Sequence, residues 1–105
     1  MRASFQVRNR RYELELSGEG RPEGEKFAIF RATVTGQEGG PVQGTLKLTE
    51  SALTIAREKA SRGGGSAEEW LARGCARSLA SEVLIRKLKP DFSFVVDHRW
   101  IEEVA

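Results

Sequence analysis

Apolar and polar residues alternate through much of the first half of the chain, and apolar residues recur every three to four positions through most of the second. Residues 3–8 place Phe5 and Val7 on one side of an extended segment, and residues 12–16 place Tyr12, Leu14 and Leu16 against Glu13 and Glu15. The apolar phase moves from odd to even numbers between the two segments. A bulge in one long strand would absorb that shift, and so would a tight turn at Asn9-Arg10. The turn is the preferred reading, because asparagine tolerates positive φ. Residues 17–24 (SGEGRPEG) have the composition of a loop. A strand is then expected over Glu25–Thr35, with Phe27 and Ile29 on one face and Ala28, Phe30, Ala32 and Val34 on the other. Apolar side chains on both faces indicate a central strand or a second packing surface. After the turn at 36–41, residues 43–49 form a further strand, with Leu46 and Leu48 inward and Lys47 outward.

Thr49 reads as a helix N-cap for residues 50–61, where Leu53, Ala56 and Ala60 share a stripe. A strand continuing through Leu53-Thr54-Ile55 competes with that helix, since Thr and Ile favour strands. Arg62 and three glycines interrupt the chain before its longest element, Ser66–Lys89. Ser66 and Glu69 have the spacing of a capping box. Glu68 and Glu69 at the start, and Arg86, Lys87 and Lys89 at the end, suit the helix dipole. Leu71, Cys75, Leu79 and Val83 recur at four-residue spacing, flanked by Ala72, Ala76 and Ala80, so a wide apolar stripe should lie on a sheet. Gly74 costs about 1 kcal/mol relative to alanine there; a close backbone crossing would account for it, and so would a tolerated defect. Pro90 is expected to stop the helix. Phe92, Phe94 and Val96 then alternate as a last strand, and Trp100, Ile101 and Val104 suggest a docked tail. The predicted class is α+β: an antiparallel sheet of four to five strands, with one long helix in the C-terminal half and one shorter helix packed on one face.

Length and composition add bounds. A chain of 105 residues is expected to form one domain spanning 1–105, with enough core to need neither metal nor disulfide staples. The single Cys75 fits a reducing compartment. No apolar run reaches the ~20 residues of a membrane span and the N-terminus has no apolar signal core, so a cytoplasmic location is the expectation. The net charge of +2 conceals an uneven distribution. Residues 51–89 are rich in arginine and lysine, whereas the segment after Pro90 sets Asp91, Asp97, Glu102 and Glu103 against Arg99.

The chemistry legible in the sequence is sparse. Gly63-Gly64-Gly65-Ser66 opens a helix but fits neither phosphate-binding glycine fingerprint, and reads as a connector. Cys75 and His98 are single residues of their kinds, and Cys75 falls on the apolar stripe, where a thiol is a small buried hydrophobe. Asp97 could orient His98 as a general base, although neighbours on a strand point to opposite faces. No metal set and no cofactor motif is expected, and no catalytic residue is assigned. Arg8, Arg10 and Arg11 cluster at the first turn, and Arg73 and Arg77 share one helix face. If they converge, these five make a nucleic-acid-binding patch. Phe27 with Ile29, or Phe30 with Val34, together with Trp100, are the candidate protein interface. The leading expectation is therefore a non-catalytic binding or assembly domain that meets a protein partner or a second copy of itself. A nucleic-acid module using the arginines is the alternative, and a small enzyme using His98 ranks third.

Overall fold

The computed structural model describes residues 1–102, apart from the side chain of Glu19. Strands β1 (Arg2–Val7), β2 (Arg10–Gly20), β3 (Ala28–Thr35) and β4 (Val42–Leu48) follow one another as an antiparallel meander. Helices α1 (Glu50–Gly63) and α2 (Ala67–Ile85) then cross one face of the sheet. They lead to β5 (Phe92–Val96) and a short helix α3 (His98–Glu102). The strands lie in the order β1-β2-β3-β4-β5. The fold is α+β as expected, with one difference: β5 runs parallel to β4, so the sheet is mixed. Two helices separate β4 from β5, and such a connection returns the chain to the same end of the sheet, which a hairpin cannot do.

The phase change in the first two strands is a consequence of the hairpin. A two-residue turn at Arg8 and Asn9, both at positive φ (51° and 67°), puts Phe5 opposite Tyr12 and Ala3 opposite Leu14. Odd positions on β1 and even positions on β2 therefore share the helix-covered face. The turn falls one residue earlier than Asn9-Arg10. The Phe5 and Tyr12 rings stack with centroids 4.9 Å apart.

Leu14, Leu16, Ala32, Val34, Leu46 and Leu48 line that face and meet Leu71, Cys75 and Leu79 of α2 and Ala52, Leu53 and Ala56 of α1. Each fully buried leucine or valine side chain contributes about 1.5–3 kcal/mol, whereas an exposed pair such as Arg2–Glu15 contributes about 0–1 kcal/mol. The sheet–helix contact holds the fold. Thr49 caps α1 by accepting from the Ala52 amide at 3.2 Å, so residues 50–61 are helix and not strand. The rigid stripe of Ala52, Leu53 and Ala56 against the sheet outweighs the β-preference of Thr54 and Ile55. Ser66 caps α2 by accepting from the Glu69 amide at 3.1 Å.

The end of α2 departs from expectation. It stops at Ile85, well before Pro90, and Arg86 is already extended. Arg86, Lys87 and Lys89 therefore do not occupy its last turn. Instead Arg8, from the β1–β2 turn, donates to the Leu84 carbonyl at 3.4 Å and places its charge at the helix C-terminus. The cause lies two residues on. Leu88 turns inward and is buried, and the buried side chain of Gln37 clips its backbone. The Gln37 amide donates to the Leu88 carbonyl at 2.9 Å, and its oxygen accepts from the Leu88 amide at 2.8 Å. Two buried hydrogen bonds and a buried leucine outweigh one more helical turn, which leaves Leu84 and Ile85 exposed.

Two glycines mark close approaches. A Cβ on Gly74 would lie 2.2 Å from the Ile101 side chain of α3, so the mid-helix glycine answers a crossing of α3 over α2. A Cβ on Gly44 would lie 2.4 Å from both the ring and the carbonyl oxygen of Phe92, which the parallel pairing sets directly beside it. Ile101 is fully buried and Trp100 half-buried, so this part of the tail is docked as expected. Val104 lies outside the described residues.

Candidate functional site

The five candidate arginines do not all lie on one surface. On β2, even positions face the helices and odd positions face the uncovered side of the sheet. Arg11 is therefore on the uncovered face, where it pairs with Glu13 at 2.8 Å and reaches Ser4 at 3.4 Å. The other four converge along the seam where α2 lies over edge strand β1. One hollow of this seam is lined by Arg2, Arg73, Arg77 and Glu69. A second shares Arg77 and Ala80 and adds Arg8, Leu84 and Trp100. A third shares Val7 and Arg8 and adds Arg10, Lys87 and Glu38. Neighbouring hollows share lining residues, and along this grooved seam six cationic side chains stand against the carboxylates of Glu38 and Glu69.

Local structure explains why these cations gather. Arg73 and Arg77 are one turn apart on α2, on the side away from the apolar stripe. Ala76 and Ala80 keep the helix close to β1, so the arginines stand at the rim of a narrow groove. Arg8 is delivered by the hairpin turn, and Arg10 is anchored by donating to the Gly36 carbonyl at 3.0 Å. Arg2, at the other end, is shared with Glu15 on the uncovered face at 3.7 Å. One aromatic ring lines the groove, and a second stands behind Arg73 toward α1. The Arg73 guanidinium lies 5.3 Å from the Trp70 ring centroid, and the Lys59 ammonium also lies 5.3 Å from it. Trp100 stands half-exposed beside Arg8 and Arg77. Sequence reasoning missed Arg2 and Lys87 as members of this surface. The split between Arg10 and Arg11 was available from strand alternation; the arrival of Lys87 was not, because it depends on where α2 ends.

The candidate protein interface also divides. Phe30 and Val34 are 5% and 0% exposed and belong to the core, so they drop out as surface contacts. Phe27 and Ile29 face the uncovered side and are half-buried. The Lys47 ammonium sits 4.0 Å over the Phe27 ring. Ile29, Lys47 and Val95 are register neighbours across β3, β4 and β5, and Gly20 flanks Ile29 on the other side. Val95 is 58% exposed. The rest of that face carries Arg11, Glu13, Glu15, Arg31 and Gln43.

The residues weighed for catalysis are placed apart. Cys75 is fully buried, and burial pushes its thiol up to about 12, so it stays protonated near neutrality. Asp97 does not orient His98. Its carboxylate accepts from the Arg99 amide at 3.0 Å, at the start of α3, and from the Arg99 guanidinium at 2.8–3.3 Å. The side-chain hydrogen bond with Arg99 is the main reason its carboxyl lies below the usual range. The His98 Nδ1 instead lies 3.2 Å from the Ser51 hydroxyl, which is 2.9 Å from that of Thr49. This tie joins the starts of α1 and α3 at an exposed position. Among the described residues no cluster of three His, Cys, Asp or Glu side chains is placed to hold a metal ion. Nor is any helix among them long and apolar enough to cross a membrane. Compared with protein-family models, with curated proteins and with solved structures, the chain matches none.

Proposed function

We propose that this chain is a non-catalytic binding domain for nucleic acid, held as a single strand along the β1–α2 seam. The observation that carries the reading is the convergence of Arg8, Arg10, Arg73, Arg77 and Lys87 along one seam lined by Trp100, with Trp70 behind Arg73. Cations along a groove track a phosphate backbone, and aromatic rings beside it stack bases with little regard to sequence. From Arg73 to the end of α2 the groove is about 18 Å long at the helical rise, enough to follow several phosphates of a single strand. The protonated Cys75 thiol and the engagement of Asp97 by Arg99 support a binding role over a nucleophilic or acid–base one.

The test is fluorescence anisotropy of a labelled oligothymidylate at several salt concentrations. About four phosphate contacts give a log–log salt slope near −3, and Arg77→Gln should lower that slope by about 0.7. Arg11→Gln, on the opposite face, should leave affinity and slope unchanged. Absence of binding at low salt, or an equal loss from Arg11→Gln and Arg77→Gln, would overturn the proposal.

A second reading rests on a different observation: the exposed Val95 on the uncovered sheet face, with Lys47 between it and Ile29. Two copies meeting there would form a homodimer. Light scattering should then give twice the monomer mass, insensitive to salt, and Val95→Lys should return it to monomer. A monomer at every concentration ends that reading.

A further inference from the structure

A separate cavity of about 390 Å³ opens at the other end of the sandwich, between the sheet and the junction of α1 with α2. Its floor is apolar: Leu16 from β2, Phe30 from β3, Leu53 from α1 and Leu71 from α2, each 2–6% exposed. A β-bulge makes the mouth. Ser17 pairs with Arg31 and Gly20 with Ile29, so β2 carries one extra residue there, and Gly18 takes φ of +65°. Bulges re-aim a strand, and here the bulged residues Ser17 and Gly18 line the opening above that floor. Arg57 stands at the rim. Its Nε donates to the Leu53 carbonyl at 3.3 Å, which holds the guanidinium close to its own helix and beside the opening. Arg21 joins it on the loop side, and Glu68 faces them from the first turn of α2.

We infer that this cavity is a small-molecule site for an amphipathic monoanion, a carboxylate with a compact apolar body. The volume is at the lower end of the range for ligand pockets, so the apolar body is small. Four leucine and phenylalanine side chains accept that body, and the Arg57 fork offers a carboxylate two parallel hydrogen bonds. Glu68 opposes a second negative group at the mouth, where the cations are Arg57, Arg21 and the Met1 ammonium, which donates to the Leu16 carbonyl at 3.0 Å. The site shares none of the cationic residues of the β1–α2 seam, so each can fail without the other.

The test is a ¹H–¹⁵N NMR titration of the whole chain with octanoate and benzoate, using 1-octanol and acetate as the uncharged and bodiless comparisons. For ligands of this size binding is expected near 1 mM. Shifts should concentrate at Gly18, Arg57 and Leu71. Octanol and acetate should each bind about tenfold more weakly or worse. Arg57→Gln should weaken octanoate about tenfold without lowering the melting temperature, since the Arg57 bond to Leu53 lies within one helix. Ala67→Leu, at the half-buried start of α2, should fill the mouth and abolish binding. The inference is overturned if octanol binds as tightly as octanoate. It is also overturned if Arg57→Gln binds like the parent chain, if shifts map to Arg8 and Arg77 instead, or if none appear up to about 10 mM.

Discussion

Replacing Gln37 by alanine tests the account of how α2 ends. In the native chain both polar atoms of the Gln37 amide are used on one residue, at 2.9 Å to the Leu88 carbonyl and 2.8 Å from the Leu88 amide. Alanine removes both partners and leaves a buried N–H and a buried C=O. Each orphaned group costs about 1–3 kcal/mol, and the exposed flanks at Lys87 and Lys89 allow some relaxation toward water. The expected loss is about 2–4 kcal/mol, or about 10–20 °C in melting temperature for a domain of this size. Urea and thermal unfolding followed by circular dichroism would measure it. Gln37→Glu is the companion. It keeps an acceptor for the Leu88 amide but loses the donor and sets a carboxylate against the Leu88 carbonyl. At neutral pH it should be at least as damaging as alanine, and it should recover part of the loss below about pH 4, where a protonated carboxyl donates. If Gln37→Ala unfolds within about 0.5 kcal/mol of the parent chain, as a surface substitution would, the clip does not hold the 86–89 segment and the reasoning fails.

Gly44→Ala should destabilise by about 1–3 kcal/mol, because its Cβ meets the Phe92 backbone oxygen as well as the ring; urea midpoints that match the parent would contradict the close β4–β5 pairing. Cys75 should resist thiol reagents in the folded state at neutral pH and react fully in denaturant, and a fast native reaction would show that the α2 stripe is not closed over it. The raised thiol also has a sign in the pH profile: the unfolded thiol ionises from about 9 while the folded one waits until about 12, so stability should fall across that window in the parent and not in Cys75→Ala. Asp97 has its folded pKa lowered, so its contribution is present above the unfolded carboxylate pKa and lost as pH falls through the folded one; Asp97→Asn should shrink that acid-limb loss by a small amount, the site being open to solvent, and an unchanged acid limb would refute the Arg99 contact.

Local information was enough for most elements of this protein. Hydroxyl caps at Thr49 and Ser66, period-two alternation in the strands and the four-residue stripe of α2 are all short-range signals, and each produced its element. The parity change between Phe5 and Tyr12 called for a hairpin or a bulge, and the two-residue turn at Arg8 and Asn9 is what brings the odd and even positions to one face. The unequal faces of β3 were legible too, but not which of them the helices would cover. That depended on the neighbours: Leu14, Leu46 and Leu79 claimed the side with Phe30 and Val34, and so removed those two from any surface. Tertiary structure also decided where α2 stops, because Gln37 and Leu88 are 51 residues apart. It decided that β5 runs parallel to β4, because the chain leaving α2 is clipped at Leu88 to Gln37, at the end of the sheet where β4 begins. The division of the arginines followed from the same cause. Their charges were visible in the sequence, but a charge has no preferred partner along the chain. Packing of α2 on β1 alone brought Arg8 to Arg77 and left Arg11 on the far side of the sheet.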